Sequence, residues 1–324
     1  MTSKDNRASQ SVYKKILVPL DGSEASEAVL ELAKNLAVRS GGDLTLLHVC
    51  KPEEADCKRV HAVYIEHVAD TIKKDVGHIC ETVQCYFQGG QASVTTVLRT
   101  GEPAEEIVRQ AEENGSSVIV MANHGRTGLS NSAMSDIANR VLRSATVPVW
   151  LIRTLAPNEI VCVDWPPNRV VVPLDGSEKA EAVLSYATEY AMIFDAELVL
   201  INVCAAPFIT ADYPEASAQV SWDEHVKRIC SHYESQCSVY LETVKDRLEA
   251  TGLKITTQSL LGDAADQIVE YIGQNRCDLV AMTSRGRSGI SRLVADSPVG
   301  RWVFSDVTEQ VLAASSRGMM VVKA

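Results

Sequence analysis

Short apolar runs alternate along the chain with longer segments in which apolar residues recur every three or four positions. The short runs have strand length and the longer ones helical period, the alternation that builds βαβ units on a parallel sheet. In the first half this predicts strands at Lys15–Leu20, Asp43–Cys50, Ser93–Arg99, Ser117–Ala122 and Val147–Ile152. Helices are predicted between them at Ser23–Ser40, Ala55–Gln84, Pro103–Asn114 and Ser132–Ser144. The first helix carries its own boundary signals. Ser23 can cap it, Glu24 and Glu27 sit in its positive first turn, Val29, Leu32, Ala33 and Leu36 recur at helical spacing, and Gly41-Gly42 closes it. Pro103 falls in the first turn of its helix, where a missing N–H costs nothing.

The second half repeats the first. ILVPLDGSEASEA (Ile16–Ala28) recurs as VVVPLDGSEKAEA (Val170–Ala182), with Asp175 answering Asp21 at an offset of 154. DLTLLHVC (Asp43–Cys50) answers ELVLINVC (Glu197–Cys204) at the same offset. TGEPAEEIV (Thr100–Val108) answers LGDAADQIV (Leu261–Val269), and SSVIVMANHGRTGLS (Ser116–Ser130) answers CDLVAMTSRGRSGIS (Cys277–Ser291), both at 161. Seven extra residues therefore accumulate in the second repeat, expected in the stretch 205–222. The domain plan is a polar tail at 1–12, a first domain at 13–153, a Pro-bearing linker at 154–168 and a second domain at 169–324. The predicted fold class is α/β: two tandem, doubly wound, Rossmann-like domains, each on a five-stranded parallel sheet. Right-handed crossovers leave a crevice at the carboxyl edge of such a sheet, and a ligand is expected there.

Composition narrows the functions. With 46% hydrophobic and 23% charged residues and no low-complexity tract, the 324-residue chain is expected to fold fully, into about two domains. Forty-two acidic residues against 31 basic ones give a net charge of -11, which repels a phosphate backbone, so no nucleic-acid partner is expected. The first 15 residues are polar and no long uncharged apolar run follows, so neither a membrane association nor a location outside the cytoplasm is expected. The nine cysteines are scattered and none forms a CxxC pair, so a disulfide framework is not expected. A metal reading would gather His61, His67 and His78 with Cys57, Cys80 and Cys85, or His225, Cys230, His232 and Cys237. Neither group has a recognised ligand spacing, and no metal site is expected.

At the first strand end, Pro-Leu-Asp-Gly-Ser sets a carboxylate at the crevice and follows it with a glycine for a tight turn. The chain has no GxGxxG, Walker A, HExxH, GxSxG or kinase signature, which removes the commonest nucleotide and hydrolase fingerprints. Asp21, His124 and Asp175 are the strand-end candidates for acid–base work, and Arg285 stands where His124 would repeat. No nucleophile, base and orienter converge, so an enzyme is not expected. The fourth strand ends, Met121-Ala-Asn-His-Gly-Arg-Thr-Gly and Met282-Thr-Ser-Arg-Gly-Arg-Ser-Gly, are glycine-rich and basic before a helix. Such a loop cradles phosphate on backbone N–H groups, or simply uses glycine to turn; both readings stay open.

The paired VPLDGS blocks, the (V/A)M-x-x-x-GR-(S/T)-G loops, the HV and NV ends of the second strands and the closing Val-Pro-Val-Trp-Leu-Ile resemble the universal stress protein (UspA) superfamily in its tandem form. The resemblance covers both repeats. It implies an adenine-nucleotide alpha-hydrolase-like fold, and a pseudo-two-fold pairing of the last strands, Val147–Ile152 with Met319–Lys323, that makes one chain look like a dimer. A further homodimer stays open and the protein partner is unassigned. The superfamily divides into members that bind ATP and members that do not. The resemblance implies nucleotide contacts at Pro19, Leu20, Asp21, Val49, Met121, Gly125, Arg126 and Ser135 in repeat 1, and at Pro173, Leu174, Asp175, Val203, Met282, Gly286, Arg287 and Ser305 in repeat 2.

ATP-binding members carry Gly-x2-Gly-x9-Gly-(Ser/Thr) after the fourth strand. Here the first glycine is Ala122 in repeat 1 and Thr283 in repeat 2, Gly125 and Gly286 keep the second, and Ser135-Asp136, after nine residues, and Ser305-Asp306, after 18 rather than nine, replace the closing pair. A carboxylate about 4 Å from a phosphate charge costs around 4 kcal/mol at an effective dielectric near 20, against about 8 kcal/mol for a whole micromolar ligand. A bridging Mg²⁺ would reverse that sign. Two readings follow. One is a stress-response regulator whose crevices bind ATP or another adenine nucleotide weakly; the other is a non-nucleotide interaction or scaffold protein of the same fold with degenerate phosphate loops.

Overall fold

The computed structural model describes residues 11–53, 58–82, 92–123, 135–153, 168–204, 222–284, 306–315 and 317–324. Repeat 1 runs β1 (Lys15–Leu20), α1 (Glu24–Glu27), α2 (Leu30–Ser40), β2 (Asp43–Cys50), α3 (Lys58–Thr82), β3 (Val94–Thr100), α4 (Pro103–Glu113), β4 (Val118–Ala122), α5 (Asp136–Ser144) and β5 (Val149–Ile152). Repeat 2 follows as β6 (Arg169–Pro173), α6 (Glu178–Glu181), α7 (Leu184–Phe194), β7 (Glu197–Cys204), α8 (Trp222–Leu248), β8 (Ile255–Leu261), α9 (Ala264–Gln274), β9 (Leu279–Thr283), α10 (Asp306–Ala314) and β10 (Gly318–Val322). The expected linker at 154–168 lies outside the described residues except for Asn168.

Each half has the doubly wound order, and the two halves share one ten-stranded sheet, β3-β2-β1-β4-β5-β10-β9-β6-β7-β8. The expected five-stranded parallel sheet is thus present in each half, and the two are joined through their last strands. Strands β5 and β10 would otherwise be edges with unpaired backbone groups, and they pair antiparallel, as the resemblance implies. Trp150 stands opposite Met320. These two are repeat mates, because Val120 pairs with Trp150 as Ala281 pairs with Met320. The pseudo-two-fold axis therefore passes between them. Since every other pairing is parallel, the strands of the two halves run in opposite directions, and the two carboxyl-edge crevices open at opposite edges of the sheet.

Alternation along each strand sends side chains to two cores, one on each face. One core lies under α2, α3, α7 and α8 and the other under α4, α5, α9 and α10, and each is continuous through both repeats. At the seam Tyr13 stacks on Trp150, with centroids 5.8 Å apart, and Tyr190 meets Trp150 edge-on at 5.1 Å. The Tyr13 hydroxyl donates to the Tyr186 carbonyl at 2.7 Å, and the Arg39 guanidinium lies 5.4 Å from the Phe194 ring centre. Tyr13 and Trp150 are fully buried.

The predicted first helix is split at Ala28–Val29, where both residues keep helical φ with ψ of -24° and -15°, so the chain tightens without turning away. Its signals hold otherwise: Ser23 Oγ accepts from Ser26 N, and Gly41 ends α2 at φ 67°. The seven-residue insertion is also corrected. Tyr64 donates to Glu27 at 2.8 Å and Tyr240 to Glu181 at 2.9 Å, which aligns α3 with α8 at an offset of 176. The offset is 154 before these helices and 161 after them, so repeat 2 has 22 extra residues ahead of its long helix and 15 fewer behind it.

Truncating Trp150 to alanine opens a hole on the axis and is expected to cost about 3–5 kcal/mol, read as a lower urea midpoint for the whole chain. Glu197 tests the acid side. Burial works against its carboxylate, yet hydrogen bonds from Arg169, Lys254 and Thr256 together hold its pKa below the usual glutamate value. A depressed acid contributes stability that is present above its unfolded pKa and is lost as pH falls through the lower folded value. Glu197→Gln is expected to remove about 1 kcal/mol at neutral pH and to flatten the acid limb of a stability-versus-pH curve.

Candidate functional site

Strand β1 feeds its turn through Asp21, whose Oδ1 accepts from Ser23 N at 3.0 Å and from Ser23 Oγ at 2.6 Å. Ser23 Oγ in turn accepts from Ser26 N and caps α1. Repeat 2 does the same: Asp175 Oδ1 takes Ser177 N and Oγ at 3.0 and 2.7 Å, and Ser177 Oγ takes Ala180 N at 3.1 Å. Between each pair Gly22 and Gly176 have φ of 84° and 82°, which only glycine adopts without strain. The Asp-Gly-Ser motif thus makes a rigid strand-to-helix turn at the topological switch point between β1 and β4, or β6 and β9.

In repeat 2 this turn borders a pocket of about 710 Å³ at the carboxyl ends of β6, β7 and β9. Pro173, Leu174, Asp175, Val203 and Met282, all expected from the sequence, line it. Thr283 lines it as well, in the place of the first loop glycine, with its carbonyl bound by the Thr308 hydroxyl at 3.0 Å. The sequence reading missed Asn202 on β7 and the wall supplied by α8, Tyr233, Gln236, Cys237 and Tyr240; Cys204 lines the pocket as well. Apolar walls with a few placed polar groups suit a flat ring with a polar edge. Burial, and next the hydrogen bond to Glu181, push the Tyr240 phenol well above the usual tyrosine value, so it is a neutral donor at physiological pH.

In repeat 1 the expected residues Pro19, Leu20, Asp21 and Val49 stand together at the ends of β1 and β2, with Met121 buried on β4. Ser135 is spent as the cap of α5, its Oγ accepting from Ala138 N at 3.1 Å, and Asp136 is exposed in that helix's first turn. Gly125, Arg126, Gly286, Arg287 and Ser305, like His124 and Arg285, lie outside the described residues.

The same wall differs between repeats. The 154 and 176 offsets make His48, Cys50 and His61 the mates of Asn202, Cys204 and Cys237. His48 Nδ1 is 2.8 Å from the Leu20 carbonyl, and Asn202 Nδ2 donates to the mate carbonyl of Leu174 at 2.7 Å. His48 Nε2 lies 2.8 Å from His61 Nδ1, and Cys50 joins them, with the three ligand atoms all within 4.8 Å of one another. In repeat 2, Cys204 and Cys237 form a disulfide across 33 residues. One pair is thus bonded where no framework was expected, because β7 and α8 bring together residues too far apart in sequence to signal it. The metal groupings weighed from sequence do not assemble among the described residues: His67 and His78 are exposed on α3, while Cys57 and Cys85 lie outside them.

Two α/β repeats, each with an Asp-Gly-Ser turn at the switch point of its strands, define a tandem doubly wound fold, with a ligand-sized pocket in the second. Residues 12–153 and 167–323 each match the universal stress protein family, and the chain belongs to it. Universal stress protein YxiE of Bacillus subtilis is 28% identical over 148 residues, covering 44% of this chain and all of that one. Universal stress protein Slr1230 of Synechocystis is 22% identical over 312 residues, 88% of this chain and 94% of its own. Among solved structures, a putative universal stress protein from Pseudomonas aeruginosa superposes with a TM-score of 0.66 at 16% identity, covering 96% of this chain and 93% of that one. Among the described residues, no helix is long and apolar enough to cross a membrane.

The Asp175 turn makes a stability prediction separate from any ligand. Asp175→Ala is expected to lose about 1–2 kcal/mol by freeing Ser177 N and Oγ, whereas Asp175→Asn, which keeps the accepting oxygen, is expected to stay within about 0.5 kcal/mol of wild type in urea melts.

Proposed function

We propose that the chain is a non-enzymatic stress-response regulator whose repeat-2 crevice binds the nucleoside end of an adenine nucleotide, with weakened hold on the phosphates. The observation that carries this reading is the convergence of Pro173, Leu174, Asp175, Val203 and Met282 on one pocket of about 710 Å³. That volume lies within the ~300–1,000 Å³ range of small-ligand sites. The pocket's apolar walls would hold the base, and Asp175 and Asn202 offer polar partners for the base edge or ribose. Thr283 puts a buried side chain where ATP-binding relatives have glycine, which supports poor contact with a triphosphate. Asp136, exposed at the start of α5, opposes phosphate in repeat 1 unless Mg²⁺ bridges it, and this favours the scaffold reading for that crevice. The domain limits 13–153 and 169–324, joined by the 154–168 linker, are proposed on the same pattern.

Calorimetric titration of the full chain with ATP and AMP, with and without Mg²⁺, tests the reading, after mass spectrometry of the purified protein for retained nucleotide. The expected result is AMP bound within about tenfold of ATP, a gap below roughly 1.4 kcal/mol. ATP far tighter than AMP and dependent on Mg²⁺ would place recognition at the phosphates instead. No retained nucleotide and no heat would leave the scaffold reading.

A further inference from the structure

We propose that His48, Cys50 and His61 form a zinc site in repeat 1. In both repeats the second strand ends with a side chain whose nitrogen bonds the carbonyl of the first strand's last apolar residue, Leu20 or Leu174. Asparagine performs that task in repeat 2. The imidazole in repeat 1 performs it and carries one nitrogen more. A carbonyl only accepts, so Nδ1 of His48 is the protonated nitrogen and Nε2 holds a lone pair, aimed at His61. A ligating histidine is commonly fixed in this way, its other ring N–H held by a backbone carbonyl. Residues i and i+2 of a strand share a face, so Cys50 comes to the same side of β2 as His48, while α3 supplies His61 from above. The three ligand atoms lie within 4.8 Å of one another, and His48 and Cys50 are buried at 2% and 0% exposure.

Two imidazoles and a thiolate are a borderline-soft set that suits tetrahedral zinc, with the fourth position left to water or an exchangeable ligand. Binding releases the Cys50 thiol proton and replaces the hydrogen bond between the two imidazoles with two metal–nitrogen bonds. A second observation is independent of the first. The mates of Cys50 and His61 are Cys204 and Cys237, which are close enough to bond, so strand end and long helix bring reactive side chains together in both repeats. The inference does not depend on nucleotide binding.

The test is zinc titration of the full chain under reducing conditions against a chromophoric chelator, with Co²⁺ as a spectroscopic substitute. His48→Asn copies repeat 2, keeps the bond to Leu20 and so preserves the fold. His61→Ala changes a half-buried helix residue, and Cys50→Ser removes the sulfur. Wild type is expected to bind one equivalent of Zn²⁺ that His48→Asn and His61→Ala hold about 100-fold more weakly or not at all, the upper end of what even supporting residues cost. Its Co²⁺ form is expected to show a thiolate charge-transfer band that Cys50→Ser lacks. A wild type without that band, or zinc stoichiometry and affinity unchanged in both histidine variants, would overturn the proposal and leave His48 and His61 as a hydrogen-bonded pair.

Discussion

The antiparallel pairing of β5 with β10 is the constraint from which the rest of the architecture follows. Each half ends its sheet on a short, apolar strand whose outer backbone groups need partners. The other half supplies them, so neither sheet is finished alone. Once that seam closes, Trp150 and Tyr13 are sealed from water, the cores on both faces become continuous, and the orientation of each crevice is fixed. Seam contacts such as the Arg143–Glu309 pair at 2.7 Å then tie helices that stand 166 residues apart in sequence.

From the seam outward, the repeats keep what holds the backbone and vary what faces the crevice. The Asp-Gly-Ser turn, its positive-φ glycine and the serine cap are the same in both, and together they set the route from strand to helix. The phenol-to-carboxylate bonds of Tyr64 and Tyr240 are likewise kept, and they hold each long helix over the end of its second strand. Variation begins one helical turn earlier, at His61 and Cys237, where a side chain reaches the crevice instead of the helix beside it.

Much of this was legible in the sequence because it is local or repeated. Lys15–Leu20 and Asp43–Cys50 match their observed strands, and Ser23, Gly41 and Pro103 mark helix ends where the structure has them. Pro173, Leu174, Asp175, Val203 and Met282 came from the family resemblance, and they line one pocket because strand ends meet at a switch point. The α8 wall could not be read from the sequence. Its residues reach the pocket through an alignment that a net insertion of seven conceals, as a long gain before the helix is offset by a loss after it. The grouping of His61 with His67 and His78 followed nearness in sequence, whereas a helix facing a strand joins His61 to His48 and Cys50. The H-x-C spacing on β2 was the available signal, and its meaning depends on which helix covers that face.

The residue pair on the pseudo-axis carries a consequence for how such chains diverge. In an assembly of two identical subunits, whatever lies on the axis must meet a copy of itself, so a tryptophan there would face a tryptophan. Joining the halves covalently lifts that demand, and Trp150 faces the slimmer, more pliable Met320. The same release extends to every mated position. A mutation in a homodimer is written into both crevices at once, but here each crevice is encoded separately, and one can acquire new chemistry while its twin keeps the old.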